Sequence, residues 1–167
     1  MLHNELPKYL APEKLCRNAP AKGDDLAGSI KLSELTNLSK EFKSQDGEVN
    51  VRLNFSMDQE GLCCIKGEIS ADLEVICQRC LQPMIYPMKS EIMVSPVKSD
   101  KQAEQLPERY EAILVSDGEI NVPEWIAEEI HLALPLAPCH EPPCVSYSTD
   151  EGEDDVEPPQ NPFMKLM

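Results

Sequence analysis

The stretch Val49-Asn50-Val51-Arg52-Leu53-Asn54-Phe55-Ser56-Met57 alternates strictly between apolar and polar side chains. Successive side chains of a β-strand point to opposite faces of a sheet, so this period of two predicts a half-buried strand. Turn-forming residues follow in Asp58-Gln59-Glu60-Gly61, and residues 69–77 alternate again, with Cys77 on the apolar face. The two segments are therefore predicted to form an antiparallel hairpin.

Further strands are predicted on both sides of this hairpin. Residues 84–94 resume the alternation after a tight connection, and residues 110–115 and 28–32 are apolar enough for two short strands. The sum is an α+β fold built on a twisted antiparallel β-sheet, or a partial barrel, of about five strands. Exposed sheet edges need covering, and two or three helices are expected to supply it.

The clearest helix is predicted to begin at Asn121. Asn121 can cap it, Pro123 suits the first turn, Glu124 completes a capping-box pattern, and Pro135 ends the helix. Its apolar stripe consists of Val122, Trp125, Ile126, Ile130 and Ala133. Two shorter helices are also predicted: one capped by Ser33 with Leu35, Leu38 and Phe42 on one face, and one opening at Ser99 or Asp100 and ending before Pro107.

The charge of the chain is strongly acidic and unevenly distributed. The 167 residues carry a formal net charge of −15, and residues 141–160 hold seven carboxylates with no lysine or arginine. We predict a single domain over residues 1–141 and a disordered, acidic, proline-rich tail over residues 142–167, which cannot bury enough apolar surface to order. Apolar residues return in Asn161-Pro162-Phe163-Met164-Lys165-Leu166-Met167, which we interpret either as a short docking motif with Asn161, Pro162 and Phe163 as binding residues or as chance composition.

The same charge bears on partners and location. Tight binding to naked nucleic acid draws its affinity from lysine and arginine, so an excess of carboxylates favours a basic protein partner instead. No apolar stretch reaches membrane-spanning length, and residues 1–8 do not resemble a secretory signal. We expect a cytoplasmic protein that does not bind membranes.

Cysteines provide the main chemical clue. Cys77 and Cys80 have the spacing with which two thiolates bind one zinc ion, and a second half-site follows the Asn121 helix in Cys144 with either Cys139 or His140. The alternative is that Cys77 is a small core residue and Cys80 an incidental thiol. A redox Cys-x-x-Cys pair is less favoured, because that motif usually opens a helix.

The remaining cysteines are expected to be structural. In a reducing cytosol they are thiols or metal ligands rather than disulfides. Cys16 stands alone in the sequence and is interpreted as a partly buried thiol. Cys63 and Cys64, adjacent on a strand, are assigned to opposite faces.

Two charged residues are additional candidates for structural or binding roles. Glu129 falls on the edge of the apolar stripe, where its carboxylate either reaches water or needs a partner, for which Arg79 is one candidate.

We find no catalytic arrangement around His3, His131 or His140, and no glycine loop for a phosphate, so an enzyme is not expected.

Several segments, in order, resemble the YceD family, whose members are described as large ribosomal RNA subunit accumulation proteins. The segments are Cys77-Gln78-Arg79-Cys80, Ser95-Pro96-Val97-Lys98-Ser99-Asp100, Gln102-Ala103-Glu104-Gln105-Leu106-Pro107, Tyr110-Glu111, Gly118-Glu119-Ile120, Glu128-Glu129-Ile130, Leu132-Ala133-Leu134-Pro135 and Asn161-Pro162-Phe163. The resemblance implies a cytoplasmic factor in the synthesis, processing or accumulation of 23S ribosomal RNA. Many relatives carry a second cysteine segment after the helix, which favours zinc here.

These observations lead to three functional hypotheses. The first is a ribosome-biogenesis factor that binds large-subunit ribosomal proteins or pre-ribosomal RNA–protein particles. The second is direct RNA binding or processing, which requires Arg52, Lys66, Arg79, Lys89 and Lys98 to gather on one face. The third is a thiol oxidoreductase that uses Cys77 and Cys80.

Overall fold

The computed structural model describes residues 5–20, 22–35, 38, 46–141 and 144. Within them the strands are β1 (Tyr9–Leu10), β2 (Asp24–Lys31), β3 (Glu48–Met57), β4 (Cys63–Ile76), β5 (Pro83–Val97), β6 (Glu111–Leu114) and β7 (Ile120–Asn121). The helices are α1 (Pro12–Asn18), α2 (Asp100–Ala103) and α3 (Val122–Ala133), and a single 3-10 turn spans Leu32–Glu34. None of these helices is both long enough and apolar enough to cross a membrane.

Five strands form the main sheet in the order β2-β3-β4-β5-β6. The predicted hairpin of β3 and β4 is confirmed, with Leu53 opposite Gly67, and β5 continues the antiparallel meander. Alternation holds along β3, where Val49, Leu53 and Phe55 are buried. Met57 was also predicted to face inward, but it is exposed because the strand ends there.

The sheet departs from the prediction in two ways. β6 pairs with β5 in parallel, so the sheet is mixed rather than wholly antiparallel. It is also open rather than a partial barrel, with β2 and β6 at its edges. The parallel pairing follows from the crossover through residues 98–110, which contains α2. A parallel pair needs a connection of roughly a dozen residues or more, and the sequence pattern alone did not specify the direction of β6.

α3 is confirmed as the main helix. The Asn121 side chain accepts a hydrogen bond from the Glu124 backbone N–H, and the predicted stripe is buried at Val122, Ile126 and Ile130. The helix contacts β5 and ends before Pro135. A short antiparallel pair of β1 and β7, which the sequence did not reveal, holds the N-terminal segment at its start.

The N-terminal region contains a helix that was not predicted. α1 packs on β3 and β4 and brings Cys16 to Cys63, with which it forms a disulfide. Our interpretation of Cys16 as a solitary thiol was therefore wrong, because two cysteines 47 positions apart meet only through the packing of α1 on the sheet. Cys64, next to Cys63, is buried.

The other short helices are partly confirmed. α2 lies where the Ser99 or Asp100 start was predicted. At Ser33 the structure has only the 3-10 turn, and Leu35 and Leu38 are buried, whereas Phe42 lies outside the described residues. Of the predicted tail only Cys144 is described, so the disorder of residues 142–167 and the segment Asn161-Pro162-Phe163 stay predictions.

Candidate metal centre

The connection between β4 and β5 places two cysteines at one end of the sheet. The backbone N–H of Cys77 donates to Gln82 O and that of Leu81 to Cys77 O, each at 2.9 Å, which closes a tight loop. Leu81 takes a left-handed conformation with φ of 59°, which costs a non-glycine residue roughly 1–2 kcal/mol. In this turn Cys77 is buried and Cys80 is half-buried.

The segment after α3 lies against this loop. The backbone N–H of Gln78 donates to Pro138 O at 2.8 Å, which joins the two chain segments next to the cysteines. Nδ1 of His140 lies 3.5 Å from Sγ of Cys80, and Sγ of Cys144 lies 3.6 Å from Sγ of Cys77. Residues that are far apart in sequence therefore meet at one point.

The donor atoms of Cys77, Cys80, His140 and Cys144 all lie within 4.8 Å of one another. Tetrahedral zinc with ordinary bond lengths needs roughly 3.8 Å between two sulfurs and roughly 3.6 Å between a sulfur and a nitrogen. The two contacts, at 3.6 Å and 3.5 Å, are close to those separations. Three thiols and one imidazole are also a common donor set for structural zinc.

The cluster distinguishes between the two candidates that the sequence left open. His140 belongs to it, whereas Cys139 is a half-buried thiol that does not. Sequence spacing could not separate them, because neighbouring residues have nearly the same spacing from the other ligands. Only the fold determines which of the two side chains points towards Cys77 and Cys80. The pattern is thus Cys-x-x-Cys followed by His-x-x-x-Cys.

Two thiols of the cluster, those of Cys77 and Cys144, have very different pKa values. Burial is the largest influence on Cys77 and raises its pKa, but the N–H groups of Cys80, Arg79 and His140 and the thiol of Cys144 donate to its sulfur and lower the pKa to about 5. Burial, together with hydrogen bonds and charge from Cys80 and Cys77, raises the pKa of Cys144 to about 11. One thiolate thus opposes ionisation of its neighbour, a repulsion that a bound cation would relieve.

The two charged candidates do not meet each other. Arg79 is exposed on the loop, and its backbone N–H lies 3.4 Å from Cys77 Sγ. Glu129 is half-buried and accepts a hydrogen bond of 2.9 Å from Trp125 Nε1, so the structure pairs it with Trp125. Burial is the main reason why the pKa of Glu129 is raised.

A second cluster centres on Asp58 and was not predicted. The carboxylate of Asp58 accepts hydrogen bonds from the Leu62 and Glu60 backbone N–H groups, from Tyr110 Oη and from Arg109. The Leu62 bond is the largest influence that holds the pKa of Asp58 near 2. The only available signal was an aspartate that opens a turn, where its side chain commonly bonds the following backbone.

A family model described as "Large ribosomal RNA subunit accumulation protein YceD" matches residues 65–166. The chain belongs to the YceD family. It is 32% identical over 148 residues to the Haemophilus influenzae protein named "Large ribosomal RNA subunit accumulation protein YceD", and the match covers 85% of each chain. The YceD match contains all four donors of the cluster. No solved structure matches this chain significantly.

Proposed function

We propose that this protein is a non-catalytic factor of ribosome biogenesis, needed for the normal synthesis, processing or accumulation of 23S ribosomal RNA. The observation that carries the proposal is membership of the YceD family, whose description names this accumulation. The similarity to the Haemophilus influenzae protein spans most of both chains, which supports applying the role to the whole protein rather than to a fragment.

The protein acts in the cytoplasm by binding large-subunit ribosomal proteins or pre-ribosomal RNA–protein particles. A net charge of −15 favours a basic protein surface over naked RNA as the direct contact. The pairing of two candidate RNA-binding cations supports this choice. Lys89 pairs with Glu68 at 3.3 Å, and Lys98 pairs with Glu13 at 2.9 Å.

Arg52, a further cation of the sheet, also has a carboxylate as its cross-strand neighbour. Arg52 lies directly opposite Glu68, which lies opposite Glu91 on the next strand. Within the described part of the chain, these residues therefore form a mixed surface rather than a basic stripe. This arrangement disfavours the alternative of direct RNA binding or processing.

A structural zinc ion held by Cys77, Cys80, His140 and Cys144 is part of the proposal. The ion would join the β4–β5 loop to the segment after α3 through four bonds. Its positive charge would also offset the repulsion between the thiolates. Four protein donors close the coordination shell, so no position stays open for a substrate. The centre therefore stabilises the fold and does not perform catalysis.

The same geometry disfavours the thiol oxidoreductase. Cys77 and Cys80 lie in a loop between strands, and the Cys77 side chain is fully buried. A catalytic thiol is partly exposed so that a substrate disulfide can reach it. The Cys16–Cys63 disulfide has no part in the proposed function.

The proposal is tested in a strain that lacks this protein. We expect 23S ribosomal RNA to fall relative to 16S, and complementation by the wild-type chain to restore the ratio. Purified protein is expected to bind naked 23S fragments weakly at physiological salt. A normal 23S to 16S ratio in the deletion strain would refute the proposal.

A further inference from the structure

A groove of about 840 Å³ lies between β6, the edge strand of the sheet, and α3. Three large apolar side chains line it and remain exposed: Tyr9 by 52%, Leu114 by 59% and Leu132 by 77%. Exposed apolar residues that converge on one depression mark an interaction surface more often than residues scattered singly. We refer to this depression as the β6 groove.

One wall of the β6 groove is a strand with an available edge. β5 is the only strand next to β6 among the described residues. Val115 N–H donates to Val97 O, so residues 111, 113 and 115 direct their backbone groups towards β5. Because these groups alternate along a strand, the N–H and C=O of Ala112 and Leu114 point to the outer edge. An extended peptide can bond to this edge.

The β6 groove is strongly acidic. Its described lining includes no lysine or arginine, and the carboxylates that line it are Asp100, Glu111, Asp117, Glu119, Glu124, Glu128 and Glu129. Two of these carboxylates act on the half-buried Glu129: burial chiefly raises its pKa, and the charges of Glu111 and Glu128 raise it further. The outward face of the sheet, by contrast, mixes both signs of charge.

We infer that the β6 groove binds a lysine- and arginine-rich extended segment of a partner protein, which adds to the sheet as a further strand along β6. Apolar and basic side chains alternate along this segment. Its backbone bonds to Ala112 and Leu114, its apolar side chains contact Leu132 and Tyr9, and its basic side chains meet the carboxylates. The inference rests on the proposed function, since it specifies how a basic large-subunit protein would be held.

Charge complementarity separates this occupant from the alternatives. The chain's own residues 145–167 carry six carboxylates against a single lysine, so their net charge would be repelled. A second copy paired along β6 would bring two acidic grooves together, and RNA is itself an anion. A basic protein segment satisfies both the charge and the unpaired strand edge.

The first test measures strand addition in the full-length protein. The probe is a fluorescent peptide of about ten residues that alternates lysine with valine, and binding is followed by anisotropy at about 150 mM salt. Ala112→Pro removes an outward N–H at an edge where proline is tolerated, and we expect binding to weaken about tenfold. Ala112→Val keeps the N–H and is expected to bind like the wild type.

The second test measures charge with matched triple variants. Glu111→Gln, Glu119→Gln and Glu128→Gln together are expected to weaken peptide binding about tenfold and to reduce its salt dependence. The control changes three exposed carboxylates elsewhere, Asp24→Asn, Asp72→Asn and Glu91→Gln, and should bind like the wild type. A glutamate–valine peptide and a peptide with proline at alternate positions should not bind.

Four results would overturn the inference. Three of them are unchanged peptide binding in Ala112→Pro with a native circular dichroism spectrum, tenfold tighter peptide binding after removal of residues 145–167, and a dimer that the peptide dissociates. The fourth is direct binding of a labelled 23S RNA fragment that Ala112→Pro weakens as much as it weakens peptide binding. Failure of the proposed function is distinguishable from these results. It would appear as a normal 23S to 16S ratio in the deletion strain, while peptide binding to the β6 groove persists.

Discussion

Nδ1 of His140 lies 3.5 Å from Sγ of Cys80, although 60 positions separate the two residues in the chain. The adjacent Cys139 is a free thiol outside the cluster of donors. This relationship makes His140, rather than Cys139, the fourth ligand of the proposed zinc ion.

Separate substitutions of His140 and Cys139 test this assignment. His140→Ala is expected to weaken zinc binding by more than the roughly 10–100-fold typical of outer-sphere changes, because it removes a direct ligand. Cys139→Ser is the matched control and should retain about one zinc per chain. Metal content of protein purified without chelator provides the measurement, and loss of zinc in Cys139→Ser with retention in His140→Ala would contradict the assignment.

Removal of the metal should open the structure locally. With a chelator, we expect the amide of Gln78, which donates to Pro138 O, to lose protection from hydrogen exchange. The buried amides of Ile65 and Ile69 on β4 should keep theirs, since these residues pack in the hydrophobic core and not at the cluster. Cys80→Ser without chelator should reproduce the pattern, and uniform loss of protection would show that the metal supports the whole fold.

Asp58 should make stability dependent on acid. Its pKa falls from an ordinary value of 3.8 to about 2 in the folded protein, so its contribution is complete above pH 3.8 and is lost as the pH falls towards 2. Urea unfolding across that range should show a decline in the wild type that is smaller in Asp58→Asn. Asp72→Asn, an exposed change on β4, should retain the wild-type decline.

Two positions on α3 should respond differently to truncation. Ile126 is fully buried, and Ile126→Ala is expected to reduce the free energy of unfolding by about 2–5 kcal/mol. Leu132, which is 77% exposed, should change it by about 0.5 kcal/mol or less when replaced by alanine. Urea denaturation at neutral pH measures both, and equal losses would contradict the orientation of the helix.

Local patterns predicted most of the elements. Alternation identified β3, β4 and β5, and the Asn121 cap together with Pro135 fixed both ends of α3. These signals are reliable because they depend on residues close in sequence, whose burial repeats with the period of the element. α1 and the β1–β7 pair were missed because seven-residue and two-residue elements carry too little periodicity.

The sequence by itself determined the spacing of Cys77 and Cys80 and predicted a second half-site after α3, because ligand spacing within each half is a local property. Only the tertiary structure decided that His140 and not Cys139 turns towards them, that Cys16 meets Cys63, and that β6 joins the sheet in parallel with one edge available. Each of these depends on how distant segments pack and on the direction in which one side chain or strand faces, and neither composition nor periodicity encodes that direction.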